Sequence, residues 1–163
     1  MGQTSLSGRQ TVLMDQRGRI SFPSGFRAAI GETLYISPAQ DDRQVLVVRS
    51  EEGFDAECER IRAVCNEKGY DEEDTVDEIR DFTMDTVRIS PDKNGRITLP
   101  AELIEYAGFQ SKVVVVGVQN FAELWDEDAL AKHEAARREL RQLRRKKKEA
   151  DKAARTAELL GEV

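Results

Sequence analysis

Residues 14–23 read MDQRGRISFP, and residues 91–100 read PDKNGRITLP. An Asp-x-x-Gly-Arg-Ile-x-x-Pro phrase used twice in 163 residues constrains the fold more than any other feature. Aligning Asp15 with Asp92 sets an offset of 77 residues, at which Gly18 meets Gly95, Arg19 meets Arg96, Ile20 meets Ile97, Pro23 meets Pro100 and Gly31 meets Gly108. Val12 falls opposite Ile89, and Phe26 opposite Leu103. The agreement continues as pattern: apolar runs at 33–37 and 112–118, second runs at 44–48 and 121–125, then an acidic opening and a helix-like segment. Duplication of one supersecondary unit explains this more simply than chance.

Local chemistry assigns each unit its elements. Residues 10–14 and 86–90 alternate or carry β-branched side chains, as half-buried strands do. Gly18 and Gly95 sit in turn material, where glycine takes positive φ without a Cβ clash. Asp15 and Asp92 are placed to accept hydrogen bonds from backbone N–H groups two or three residues on. Arg-Ile-Ser-Phe and Arg-Ile-Thr-Leu resume a strand. Pro23 and Pro100 end it and suit the first turn of a short helix, which Gly31 and Gly108 close. Each copy therefore predicts strand, Gly-Arg turn, strand, short helix, strand, strand, helix. Such a unit buries little surface alone, so the expected fold is α+β, with one barrel-like core built from both copies around a pseudo-twofold.

Helices are expected around that core. Phe54, Cys58, Ile61 and Cys65 form an apolar stripe over 51–68. The two cysteines read as buried free thiols, since two cannot complete a tetrahedral zinc site and the single histidine, His133, lies elsewhere. Residues 72–84 predict an acidic helix with Val76, Ile79 and either Phe82 or Met84 inward. From Asp126 no glycine or proline occurs until Gly161, which predicts a helical rod on the order of 50 Å. Its apolar stripe, Leu130, Ala136, Leu140 and Leu143, thins to alanines, so the distal part is expected to fray or to need a partner.

The net charge of −6 argues at first against nucleic acid as a partner. Its distribution argues otherwise. Thirteen acids face four bases between Glu51 and Asp81, whereas eleven bases face four acids from Lys132 to Arg155, and four arginines face one aspartate from Arg9 to Arg27. The local field, rather than the total, decides which partner is attracted. No stretch approaches a membrane span and MGQTSLSGRQ has no apolar leader, so cytoplasmic residence is expected.

No catalytic constellation stands out: there is no nucleophile–histidine pair, no phosphate-binding P-loop and no acidic cluster with metal-ligand spacing. The chain does not read as an enzyme, and no cofactor or metal is expected. Asp71, Glu72, Glu73 and Asp74 read as a solvated helix opening, His133 as an exposed helical residue, and Trp125 as a core or subunit contact. The Gly-Arg turns differ. An arginine just after a tight turn projects from the end of a sheet, where a guanidinium reaches phosphate oxygens or clamps guanine. The alternative is that Asp15 with Arg19, and Asp92 with Arg96, simply lock their turns.

At these residues the chain resembles the MraZ family, bacterial transcriptional regulators built from two AbrB-like swapped-hairpin repeats. The likeness rests on the two Asp-x-x-Gly-Arg phrases in order, on MDQRGRISFPSGFR, and on VVGVQNFAELWDED, across about residues 10–145. It implies a duplicated swapped-hairpin β-barrel, with repeats at 8–50 and 86–128, an acidic helical linker at 51–85 and a charged C-terminal helix at 129–163. It also implies a repressor or autoregulator of the division and cell-wall gene cluster, associated with the nucleoid. Such a regulator binds short direct repeats in double-stranded promoter DNA as a ring-shaped homo-oligomer, an octamer or larger. Carried over by position, Arg19 and Arg96 face DNA, Asp15, Gly18, Asp92 and Gly95 shape the loops, and Arg17 and Lys93 contact phosphate.

The copies differ at one place: Arg27 follows Phe26, but Ile104 follows Leu103. Arg27 joins the DNA-facing set, and the first loop is expected to be the stronger binder. The RRKKK run at 144–148 lies outside the motif and reads as a solvated face, with DNA or a neighbour's acidic region as alternatives. The competing functional reading is an AbrB-like interaction module, an antitoxin or scaffold, working through the 51–81 region or the C-terminal helix.

Overall fold

A computed structural model describes residues 5–161. Among these the fold is α+β, with eight strands and five helices. The first copy supplies β1 (Arg9–Leu13), β2 (Arg19–Ser21), α1 (Ser24–Ile30), β3 (Leu34–Pro38) and β4 (Leu46–Arg49). Two helices follow, α2 (Glu51–Glu67) and α3 (Glu72–Met84). The second copy repeats the order as β5 (Val87–Ile89), β6 (Arg96–Thr98), α4 (Ala101–Ala107), β7 (Lys112–Val118) and β8 (Phe121–Asp126). Helix α5 (Glu127–Leu159) completes the chain, and from Asp128 it forms a compact unit separate from the preceding residues.

Neither copy completes a sheet alone. The six-stranded antiparallel sheet runs β1-β7-β8-β4-β3-β5, and a two-stranded ribbon pairs β2 with β6. Exchanging each strand with its counterpart in the other copy reverses the six-strand order and leaves it unchanged. Two cross-copy pairs lie on this pseudo-twofold: Ile20 opposite Ile97, and Val47 opposite Glu123. The first strand of each copy hydrogen-bonds only into the other copy, β1 to β7 and β5 to β3.

Counterpart residues also build one apolar core: Ile20 with Ile97, Phe22 with Leu99, Phe26 with Leu103, and Ile30 with Ala107. The short helices start one residue later than the prolines suggest. Pro23 and Pro100 are N-caps, whose carbonyls accept from Phe26 and Arg27, and from Leu103 and Ile104, at 3.0–3.1 Å. The proline ring fixes φ at the entry, and its missing N–H costs nothing there.

Helices α2 and α3 enclose a small cluster of Ile61, Cys65 and Phe82, edged by Phe54, Cys58 and Ile79; both thiols are free. Of the two inward candidates on α3, Phe82 is buried and stacks on Phe54 at 5.5 Å, while Met84 is 70% exposed. Two residues of helix turn the side chain to the far face. Ser50 and Asp71 cap the two helices by accepting from Gly53 and Asp74 at 3.0 and 2.8 Å. Trp125 is buried and its Nε1–H donates to Glu123 at 3.1 Å. Helix α5 is continuous for 33 residues, and Leu140 and Leu143 are exposed on it. No helix of the described residues is long and apolar enough to cross a membrane.

Candidate nucleic-acid interface: the two Gly-Arg turns

Each turn is a closed hydrogen-bonded loop between successive strands of its copy, β1 and β2 in the first and β5 and β6 in the second. In the first, Asp15 N–H donates to the Arg19 carbonyl at 3.0 Å and Gly18 N–H donates to the Asp15 carbonyl at 3.1 Å. In the second, Asp92 and Gly95 make the equivalent bonds at 2.9 Å each. Glycine is required at both corners, where φ is +78° and +77°. The aspartates work as expected of short acceptors but reach one residue further. Asp15 Oδ1 accepts from the N–H groups of Arg17 and Arg19 at 2.9 Å, and Asp92 Oδ1 from those of Asn94 and Arg96 at 2.8 and 3.0 Å.

These bonds hold both carboxyls below the usual carboxylate range. The backbone N–H of Arg19 is the largest cause for Asp15, and that of Arg96 for Asp92. The Arg19 charge also lowers Asp92, so the two turns share one electrostatic neighbourhood.

The ribbon behind the turns sets what they present. Ile20 and Ile97 point into the core, so by the two-residue period of a strand Arg19, Ser21, Arg96 and Thr98 share the opposite face. From strand rise and spacing, the two arginine Cα atoms lie about 8 Å apart across this face. Arg17 and Lys93 are both exposed at the loop tips, in adjacent rather than equivalent positions of their turns.

The turns differ in how their arginines are held. Arg19 Nε donates to Asp15 Oδ2 at 2.8 Å, whereas Arg96 Nε stands 3.8 Å from Asp92 Oδ2 and is buried without a hydrogen-bond partner. The backing also differs, and it is crossed between copies. Gly18 packs against Ile104 of the second copy, with Leu99 N–H donating to its carbonyl at 2.9 Å. Gly95 packs against the guanidinium of Arg27 of the first copy, with Phe22 N–H donating to its carbonyl at 3.0 Å. Arg27 therefore backs the second turn, which removes the ground for ranking the first loop higher on its account. The substitution of Ile104 for arginine was visible at the 77-residue offset; the crossing was not, because it arises from tertiary packing.

Residues 82–156 match the family model described as "MraZ protein, putative antitoxin-like". The "Transcriptional regulator MraZ" of Paenarthrobacter aurescens is 33% identical over 122 residues, covering 75% of this chain and 81% of the relative. The protein of the same name from Bifidobacterium longum is 32% identical over 134 residues, 82% of this chain and 85% of its own length. That of Mycoplasmopsis pulmonis is 31% identical over 121 residues, 74% and 78% respectively. With likeness of that extent spanning most of its length, the chain belongs to the MraZ family.

Proposed function

We propose that this chain is a transcriptional regulator that binds double-stranded promoter DNA through the face formed by its two Gly-Arg turns. One observation carries the reading: a two-stranded ribbon buries Ile20 and Ile97 and turns Arg19, Arg96, Ser21 and Thr98 outward together. A ribbon of that width enters a major groove, where arginine reads guanine and hydroxyls reach bases or phosphates. Arg17 and Lys93 at the tips add backbone contacts, and the acidic α2 and α3 belong to another part of the chain.

The same reading takes each copy as an AbrB-like swapped hairpin, the cross-copy pairing of β1 and β5 being the feature that supports it. It takes the active form as a ring whose turns face one way, so that direct repeats upstream of the division and cell-wall genes are bound by several subunits at once. Multivalent display offsets the small number of arginines per chain. Repression of its own promoter, in the cytoplasm at the nucleoid, completes the reading.

Gel-shift with the duplex upstream of its own gene tests it. Arg19→Ala is expected to weaken binding about 5- to 150-fold, a loss of about 1–3 kcal/mol, with the oligomer intact by native mass spectrometry. Wild-type affinity in the variant would make the turn purely structural. The words "antitoxin-like" in the family description favour one second reading, a protein-interaction module. A stoichiometric co-purifying protein, together with no shift of the upstream duplex, would select it.

A further inference from the structure

Helix α3 carries its acids in a line. Asp71, Asp74, Glu78, Asp81 and Asp85 follow one another at three, four, three and four residues, so they share one face, and all of them are exposed. Arg80, the base of this helix, falls off that face and pairs with Asp77. Like charges at these spacings destabilise a helix. Asp81 and Asp85 also meet the negative end of the helix dipole, and no base stands in the last turn to offset them. Glu78, Asp81 and Asp85 line an open groove of about 590 Å³ beside Pro38 and Tyr106. Among the described residues these carboxylates have no ion-pair partner, whereas Asp41, the remaining acid of the groove, is held by Arg43 at 2.8 Å. A line of charge that weakens its own helix is relieved by a cationic partner of matching shape.

Helix α5 holds the complement. Arg137, Arg141, Arg144, Lys148, Lys152 and Arg155 follow at four, three, four, four and three residues, again one helical face, with Asp151 at its margin. All of these bases are exposed. From the helical rise, the basic line runs about 27 Å and the acidic line about 21 Å. The two match in spacing and nearly in length, with opposite sign. One exposed ion pair contributes little, but several charges fixed in register on two helices steer and select a partner. We propose that the acidic face of α3 receives the basic face of α5 from a second molecule of this chain. The contact joins two different surfaces, so every subunit offers both halves and the pairing passes from one molecule to the next. It stands independently of the Gly-Arg turns and of DNA.

The test is zero-length carbodiimide crosslinking of the full chain, which joins a carboxylate to an amine only where the two touch. Isotope-labelled and unlabelled chains are refolded together from urea, crosslinked at low salt and digested for mass spectrometry. Peptides linking Lys148 or Lys152 to the α3 acids are expected, with one half labelled and the other not, and they should vanish at high salt. Two charge-reversed chains supply the second arm. Glu78→Lys with Asp81→Lys places bases on α3, and Arg141→Glu with Arg144→Glu places acids on α5; each variant alone is expected to lose the links from Lys148 and Lys152. An equal mixture of the two variants is expected to restore them, which also shows that both have folded.

Links found only within labelled or only within unlabelled pairs would seat α5 on its own chain and overturn the pairing of molecules. No link at low salt, or no recovery in the mixture, would overturn the contact itself. If the wild-type chain shows no link while Arg141→Glu with Arg144→Glu weakens duplex binding, the basic face of α5 is a nucleic-acid contact and the proposal fails.

Discussion

Arg19 and Arg96 stand at equivalent positions yet meet different neighbours, and the difference has a local cause. Ile104 behind Gly18 is neutral, so it brings no second cation to compete with Arg19 for the Asp15 carboxylate. Arg27 behind Gly95 places a second cation beside Arg96, and the Arg96–Asp92 distance is correspondingly long at 3.8 Å. Acid should open both turns late. The folded carboxyls of Asp15 and Asp92 lie below their ordinary value of about 4. Their contribution is therefore complete above the unfolded value and lost only as pH falls through the lower folded one. A carboxyl NMR titration should place both midpoints below the ordinary value of an aspartate, and Asp15→Asn should abolish the Asp15 transition. The glycines allow a second check. Gly18→Ala forces an L side chain into positive φ and sets its Cβ 2.6 Å from Ile104 Cδ1 and 3.1 Å from the Leu99 carbonyl. Thermal melting should show a loss of about 1–3 kcal/mol.

Among the elements, the β2–β6 ribbon couples fold to site, because one residue of register separates the buried isoleucines from the outward arginines. Helices α2 and α3 depend on Phe82, which stacks on Phe54 and also lies 5.4 Å from the Arg49 guanidinium. Phe82→Ala should cost roughly 3–5 kcal/mol by denaturant unfolding. Because its ring is remote from the turns in sequence and packing, DNA binding by the folded fraction should persist. Strand β7 accepts the N-terminal segment so closely that a Cβ on Gly117 would lie 2.4 Å from the Ser7 nitrogen and 2.7 Å from the Leu6 carbonyl carbon. Gly117→Ala should release the Leu6–Gln119 bridge at a cost of about 1–3 kcal/mol, seen as faster amide exchange at residues 6–8.

For the whole molecule, the duplication was legible because turn chemistry repeats at a fixed offset, and the strand and helix order of each copy followed from it. The sheet order was not legible. The apolar pattern marks β2 and β4 as strands but does not say that Ile20 and Val47 pair with Ile97 and Glu123 of the other copy. The turn residues were legible as a pair of loops, whereas the crossing of Arg27 to Gly95 and Ile104 to Gly18 required the packed molecule. The central claim is that these two loops, brought together by that pairing, form the DNA-binding face. Hydrogen–deuterium exchange of the full chain, with and without the duplex upstream of its own gene, tests it most directly. The account predicts slowed exchange at residues 15–19 and 92–96 together. Protection confined to α2, α3 or α5, with both turns unchanged, would contradict it.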